Sequence, residues 1–307
     1  MNFADYYAEH GYVVFDRLIP GEKIDAVLGA LDRFKRAALP YFSQSIHRWI
    51  RPAIDAHGFM QESMENFSCL YLDRGLARAG DAVLLGAEIE GALRSLQPRF
   101  EHFVQWQNML FDRSTGTIEH YDSFYLDTLP RGYLTAAWVA LEDIDAESGP
   151  FRVYPGSHRH FSGNQLDTLS HEDFARECAK YAASHEHKAA LLRKGDVLFW
   201  HPSLLHGALN QTDERRSRKS LTSHYYPMGV ARKGDDAALL DASALRRLRR
   251  LLSYPVRHDG QPIYSIHNGF STFVFNCAGL LSYARDRLTG SAEVYRDMRR
   301  SSYDERR

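Results

Sequence analysis

The sequence predicts a mainly β fold, an antiparallel barrel or sandwich of the jelly-roll kind with α-helices packed outside it. Between residues 103 and 230 it contains short runs rich in aromatic and β-branched residues, which is typical of strands. Turn motifs such as STG, LPRG, ESGP and RKGD separate these runs, and helical periodicity lies on both sides of them. The runs are FVQWQNMLFD, GTIEHYDSFYL, YLTAAWVALED, PFRVYPGSH, KAALLRKGDVLFWH and KSLTSHYYPMGV.

The flanking helices follow from apolar spacing and stop signals. A short helix from Phe3 to His10 ends at Gly11 and leads into a strand at 12–16, and a longer helix follows Pro20. The segment 37–80 shows no clear periodicity. Further helices are predicted at about 82–100, 170–185, 241–253 and 271–288. We expect one domain over 1–307, with a helical part at 1–100, a β-core at 103–230 and a helical extension at 235–307.

Composition argues against several classes of protein. The chain has 307 residues, 44% of them hydrophobic, and a net charge of −1, so bulk charge favours neither nucleic acid nor an anionic membrane. The arginine-rich stretches 245–252 and 296–307 are expected to be solvated surfaces. Three scattered cysteines fit a reducing compartment. No signal peptide and no apolar stretch of about 20 residues is visible. We expect a cytoplasmic protein without nucleic-acid or membrane partners; the oligomeric state is left open.

A candidate metal site begins with His120 and Asp122, two residues apart in a predicted strand. Side chains at i and i+2 of a strand share a face, although such a pair alone is equally well explained as structural. The motif LLHG then places His206 at the end of a later run, while His201 is an alternative that precedes a proline. Two histidines and one carboxylate form the ligand set of non-heme Fe(II) oxygenases.

Longer motifs give this site a context. The opening YYAEHGYVVFDRLIP, the HYD triplet, the stretch AAWVALEDIDAESGPFRVYPGSH (136–158) and LLHG resemble the phytanoyl-CoA dioxygenase family of Fe(II)/2-oxoglutarate-dependent oxygenases. The resemblance runs from the opening to about Tyr226. It implies a double-stranded β-helix core, which is a cupin-like jelly roll. It also implies that His120, Asp122 and His206 bind Fe(II), with 2-oxoglutarate as co-substrate and O2 as oxidant.

The resemblance also implies an arginine that binds the distal carboxylate of 2-oxoglutarate, on the strand after the second histidine. Arginine suits this role because its planar fork pairs a carboxylate in two places and stays charged. Arg218 fits the register and shares a strand face with Ser220 and Thr222; Arg216 is the alternative. Family positions that line the 2-oxoglutarate pocket correspond to Trp138 and Met109, either of which is equally explained as a core residue. The chain departs from many relatives in having Ala208 where they carry a hydroxyl.

The reaction implied is hydroxylation of a small-molecule metabolite through hydrogen abstraction from an unactivated C–H bond, with release of succinate and CO2. Related halogenases lack the carboxylate ligand, so Asp122 favours hydroxylation over halide transfer. Desaturation, cyclisation or dealkylation from the same abstraction are alternatives. Two further alternatives are a non-catalytic jelly-roll binding protein and a cupin-like enzyme without 2-oxoglutarate.

The substrate pocket is expected to be bordered by the segments 40–70 and 258–273. Their polar and aromatic residues suit a small polar metabolite better than a fatty acyl chain, although each alone is more readily structural. The residues expected to line the pocket are Tyr125, Trp49, Arg51 and Asn268.

Overall fold

The computed structural model describes residues 2–161, 165–233, 247–248 and 251–289 of the chain. Four helices precede the β-core and one long helix follows it. The helices are α1 (Phe3–His10), α2 (Gly21–Ala37), α3 (Arg74–Leu84), α4 (Ala87–Leu96), α5 (Asp122–Tyr125), α6 (His171–Ser184) and α7 (Gly269–Leu288). None of these helices has the length and apolar character that crossing a bilayer requires, in the part of the chain that is described.

The β-strands form one large sheet and two small ones. The strands are β1 (Tyr12–Phe15), β2 (Tyr41–Ser43), β3 (Arg48–Ile50), β4 (Met64–Glu65), β5 (Phe103–Phe111), β6 (Thr128–Leu129), β7 (Thr135–Ala140), β8 (Phe151–Val153), β9 (Lys188–Ala189), β10 (Val197–Trp200), β11 (His206–Ala208), β12 (Ser220–Pro227), β13 (Ala231–Arg232), β14 (Val256–Arg257) and β15 (Tyr264–Ser265). The large sheet has the order β1-β10-β7-β12-β5-β4-β2-β3, with β15 beside β5 and β14 beside β15. A small sheet has the order β11-β8-β9, and β6 pairs with β13.

The small β11-β8-β9 sheet packs against one face of the large sheet. Trp138 on β7 and Trp200 on β10 point from the large sheet towards Phe151 on β8. The rings of Trp138 and Phe151 stack with their centroids 5.4 Å apart. Two facing sheets with an aromatic core between them make the jelly roll that the sequence predicts, so the predicted fold class is confirmed.

Helices cover the opposite face of the large sheet. Helix α2 buries Ile24, Val27, Leu31 and Phe34, whose spacing of three or four residues places them on one side of the helix. They join a core that includes Leu221 of β12 and residues of α3 and α4. The large sheet therefore has helices on one face and the small sheet on the other.

Some element boundaries differ from the sequence-based predictions. The helix predicted at about 82–100 is two helices, α3 and α4, separated by Leu85 and Gly86, where Gly86 caps α4. The segment 37–80, predicted to be irregular, supplies β2, β3 and β4 to the edge of the large sheet. Most of the helix predicted at 241–253 lies outside the described residues.

Candidate metal centre

Three side chains meet between the two sheets at one end of the jelly roll. His120, Asp122 and His206 each offer a ligand atom, and these atoms all lie within 4.8 Å of one another. Oδ1 of Asp122 is 3.5 Å from Nε2 of His120 and 3.6 Å from Nε2 of His206. The structure therefore brings together the three residues that the sequence singles out, and no other such group occurs in the described part of the chain.

The backbone that positions this group differs from the strand predicted for residues 116–130. His120 forms an isolated bridge with His206, in which each backbone N–H donates to the other's carbonyl at 2.9 and 3.1 Å. Asp122 is the first residue of the short helix α5. The prediction that His120 and Asp122 alternate along one strand is wrong, because the chain turns into a helix after Tyr121. The two side chains converge across that turn instead.

Both imidazole rings are held in the orientation that metal binding needs. Nδ1 of His120 lies 2.9 Å from the carbonyl of Ile118, and Nδ1 of His206 lies 2.9 Å from the carbonyl of Leu204. Since a carbonyl only accepts hydrogen bonds, Nδ1 carries the proton in the neutral ring and donates it. Nε2 of each ring keeps its lone pair and faces Asp122.

The carboxylate is fixed through its second oxygen. Oδ2 of Asp122 accepts a hydrogen bond of 2.8 Å from Nε1 of Trp200 and lies 3.2 Å from Nε2 of His224. Both partners project from the large sheet, whereas Asp122 belongs to α5. Because Oδ2 is held in this way, Oδ1 is the oxygen left to bind a cation.

Burial sets the charges of this group. The buried Asp122 carboxylate would be destabilised by burial alone, but the neighbouring histidines and its hydrogen bonds hold its pKa well below the usual range. Burial lowers the pKa of His206 to about 4, against the opposing effect of Asp122. At neutral pH, His206 is therefore neutral and Asp122 ionised. Burial acts to lower the pKa of His120 too, but its contact with Asp122 outweighs burial and raises that pKa, so a metal ion would displace a proton from this ring.

A buried arginine lies on the face of the large sheet that also carries His224. Arg218 precedes β12 and is only 3% exposed. Its guanidinium contacts the rings of Phe111 and Trp138, at 5.3 and 5.6 Å from their centroids. Its Nε has no hydrogen-bond partner, and no described carboxylate forms an ion pair with it. Burial lowers the pKa of Arg218 to about 10, so the group remains charged at neutral pH without a counter-ion.

The alternative arginines lie at the surface. The side chain of Arg216 is 53% exposed and forms ion pairs with Asp145 and Glu147. Arg215, at 77% exposure, pairs with Asp213. Both of these arginines are paired with carboxylates at the protein surface. Of the three arginines, Arg218 is therefore the one whose guanidinium can bind an anion inside the jelly roll.

The predicted 2-oxoglutarate-lining residues border Arg218. Trp138 lies beneath its guanidinium, and Met109 sits on β5 directly opposite Thr222 of β12. Both side chains are buried. Their role in binding a co-substrate stays a prediction.

The predicted substrate-pocket residues are dispersed. Tyr125 is half exposed beside the centre, with its ring centroid 6.4 Å from that of His120. Trp49 packs instead against Phe275 of α7, and Arg51 is exposed. The side chain of Asn268 caps α7 and donates to the carbonyls of Leu251 and Tyr254. Of the four, only Tyr125 is placed by the contacts beside the three candidate ligands.

Comparison with known proteins decides the family. A family model described as "Phytanoyl-CoA dioxygenase (PhyH)" matches residues 7–220, which include the three candidate ligands and Arg218. The chain belongs to the phytanoyl-CoA dioxygenase family. The family predicted from the HYD, PGSH and LLHG motifs is confirmed.

Individual relatives of this phytanoyl-CoA dioxygenase family member are distant. The peroxisomal phytanoyl-CoA dioxygenase of Mus musculus is 27% identical over 116 residues, covering 34% of this chain and 32% of that protein. The Homo sapiens protein of the same name is 29% identical over 110 residues, with the same coverage. The chain thus aligns with about a third of the length of these curated relatives.

Solved structures share the fold. SnoK, a non-heme alpha ketoglutarate dependent carbocyclase from nogalamycin biosynthesis, has a TM-score of 0.56 and 20% identity, covering 78% of this chain and 88% of that chain. EctD from S. alaskensis with bound Fe has a TM-score of 0.53 and 16% identity, covering 73% and 75%. At such identities the similarity shows the fold alone.

Sequence reasoning missed His224 and Trp200, the two residues that hold Asp122 in this family member. Trp200 lies 78 residues from Asp122 in sequence and His224 lies 102 away, so no local spacing connects them. A signal for His224 was present. Arg218, Ser220 and Thr222 alternate on one face, and the next residue on that face, two positions after Thr222, is His224.

His224 is therefore expected to position Asp122 for metal binding. Replacing His224 by leucine removes the contact to Oδ2 and should weaken Mn(II) or Fe(II) binding by about tenfold to a hundredfold, as for other residues that support metal ligands. His224→Gln, which restores a hydrogen-bond donor, should recover part of the affinity. Competition with a metal chelator measures both. Equal affinity of wild type and His224→Leu would show that His224 only fills space.

Proposed function

We propose that this chain is an Fe(II)- and 2-oxoglutarate-dependent dioxygenase that hydroxylates a small-molecule metabolite and releases succinate and CO2. The observation that carries the proposal is the buried, charged Arg218, which has no counter-ion among the described residues and lies on the sheet face that also supports the His120–Asp122–His206 group. Family membership supports it from an independent direction.

The donor set fits Fe(II). Two neutral imidazole nitrogens and one carboxylate oxygen form the arrangement typical of non-heme Fe(II) oxygenases, which leaves open coordination positions. His120 and His206 would bind through Nε2 and Asp122 through Oδ1, because the other polar atom of each side chain is already hydrogen-bonded. A structural zinc site would instead need a fourth protein ligand; His224 is directed to Oδ2 of Asp122.

The arginine fits a dicarboxylic co-substrate. An uncompensated charge that is fully buried costs several kcal/mol, and a carboxylate paired in two places offsets that cost. 2-Oxoglutarate has a carboxylate at each end, so its distal end would pair with Arg218 while its oxo-acid end reaches the metal. Trp138 supplies a flat apolar wall beside the guanidinium.

When bound together, Fe(II) and 2-oxoglutarate supply the activation of O2 that oxidises an unactivated C–H bond. The residues of this chain would hold both partners. Trp200 and His224 keep Asp122 in its ligating orientation, and burial keeps His206 unprotonated at neutral pH. The presence of Asp122 supports hydroxylation over halide transfer, because the carboxylate takes the coordination position that a halide needs.

The decisive experiment is anaerobic addition of Fe(II) and 2-oxoglutarate to the protein. The expected result is a weak visible charge-transfer band at roughly 500 nm, a property of iron chelated by a 2-oxo acid. A metabolite screen that measures succinate above the uncoupled background then identifies the substrate. A folded, iron-bound protein that gives no band would contradict the 2-oxoglutarate assignment and leave a cupin-like metal protein instead.

The wider setting is also part of the proposal. We propose that the chain forms a single domain and acts in the cytoplasm. Its substrate is a free small molecule. One solved structure of this fold, the epimerase SnoN, holds Fe3+, alpha ketoglutarate and nogalamycin RO, which supports a small-molecule substrate beside the two cofactors. Desaturation, cyclisation or dealkylation would give the same band and the same succinate, and product analysis separates them from hydroxylation.

A further inference from the structure

A carboxylate that has no cationic partner among the described residues lies on the sheet face that carries the candidate metal centre. Glu65 of β4 pairs across the sheet with Met109 of β5, which pairs in turn with Thr222 of β12. Two pairs further along, and so on the same face, Gln107 lies opposite His224, the residue that contacts Asp122. Directly opposed residues in a sheet point to the same side. Glu65 and Gln107 therefore point to the same side as His224; Gln107 lies one strand away from β12 and Glu65 lies two strands away.

Glu65 is held by amides rather than by a positive charge. Nε2 of Gln107 donates to Oε1 of Glu65 at 2.9 Å, and Nδ2 of Asn66 lies 3.4 Å from the same oxygen. Among the described residues, Oε2 of Glu65 accepts no hydrogen bond and Glu65 forms no ion pair. Both Glu65 and Gln107 are partly exposed, so their polar atoms are accessible from solvent.

A structural role alone does not require a carboxylate at position 65. If the contact only joined β4 to β5, a neutral glutamine at position 65 would serve without placing a negative charge in a partly buried site. The charge is oriented through one oxygen and left uncompensated at the other. A donor with positive charge is the partner that such an oxygen binds best, through a short charge-assisted hydrogen bond.

We propose that Glu65 binds a protonated nitrogen of the substrate, with Gln107 fixing the carboxylate in place. This inference rests on the proposed function, since it assigns the substrate of that same site to the class of small molecules that carry an ammonium or guanidinium group. The cationic group would bind near β4, so the C–H bond that is oxidised lies further along the molecule, towards His120 and Asp122.

The test uses three fragments of equal length: n-butylamine, n-butanol and butyrate. Each is titrated by ligand-observed NMR into the anaerobic protein containing Fe(II) and 2-oxoglutarate. We expect the wild type to bind the amine at least about tenfold more tightly than the alcohol, the value of one charge-assisted hydrogen bond, and to bind butyrate least. Glu65→Gln should abolish the preference for the amine. The matched control Glu88→Gln removes a carboxylate of α4 that is paired with Lys23 of α2, and it should keep this preference.

The absorption band of the same samples separates this inference from the proposed function. A band in all three proteins, together with loss of amine preference only in Glu65→Gln, supports the inference. A band without amine preference in the wild type, or a preference that survives in Glu65→Gln, overturns it while the proposed function stands. If the amine and the alcohol bind equally well and both lose affinity in Glu65→Gln, the proposed cationic substrate is wrong and Glu65 binds a hydroxyl group instead. Absence of the band in the wild type contradicts the proposed function instead.

Discussion

Replacing His206 by alanine is expected to abolish iron-dependent turnover and to weaken metal binding by more than about a hundredfold, the upper end of what loss of a supporting residue costs a metal site. The physical reason is that one of only three protein ligands disappears. Burial lowers the pKa of His206 to about 4, so at neutral pH this ring is neutral and its Nε2 can bind a metal ion. Isothermal titration with Mn(II), together with succinate release under Fe(II), measures both effects.

His201 provides a matched control. It is the other histidine of the same stretch, and burial lowers its pKa to about 3, yet its ring lies near His158 rather than near Asp122. His201→Ala should therefore keep the metal affinity of the wild type. Thermal unfolding of both variants shows whether they fold. Unchanged turnover in His206→Ala, or metal loss in His201→Ala with a folded protein, would contradict the assignment of the second histidine ligand.

The sequence predicted which residues form the candidate site, but it did not predict the backbone conformation that brings them together. Residue type and motif context were enough to select His120, Asp122 and His206, which the structure brings together. The strand argument for the first two was wrong, because the conformation of residues 121–125 depends on the packing of α5 rather than on local alternation. A pattern of two residues does not distinguish a strand from a turn that brings the same side chains together.

Contacts between distant segments were the part that the sequence did not predict. Strand β4 has only two residues and gains its register from β5, more than 40 positions later. Its Glu65 therefore gave no signal in a segment that lacks periodicity. The same holds for Trp200, whose indole reaches Asp122 only once β10 lies in the large sheet. Helices such as α2 were predicted well because their apolar spacing is local.

Arg218 decides between a 2-oxoglutarate enzyme and a metal protein of the same fold, and its substitution has the second large expected effect. Arg218→Met keeps the length and apolar contacts of the side chain but removes the charge. Truncating one partner of a buried charge pair costs about 2–5 kcal/mol, so 2-oxoglutarate should bind on the order of a hundredfold more weakly. Titration of the charge-transfer band with 2-oxoglutarate measures this loss, while Mn(II) affinity should stay close to that of the wild type.

Arg216→Met is the matched control, because that side chain is 53% exposed and paired with surface carboxylates. It should leave the 2-oxoglutarate titration unchanged. A loss of affinity in Arg216→Met but not in Arg218→Met would move the anchor by two residues and contradict the burial argument.

A second measurement separates a ligand-binding arginine from a structural one. In the protein without 2-oxoglutarate, the Arg218 guanidinium is buried and charged, and no carboxylate in the described part of the chain pairs with it, which destabilises the fold. Arg218→Met should therefore raise the melting temperature of the ligand-free protein. Adding 2-oxoglutarate and Mn(II) should then stabilise the wild type more than the variant, since at a given ligand concentration the gain in stability grows with the logarithm of the affinity. A structural arginine predicts the opposite: a lower melting temperature in the variant and equal stabilisation by the ligand.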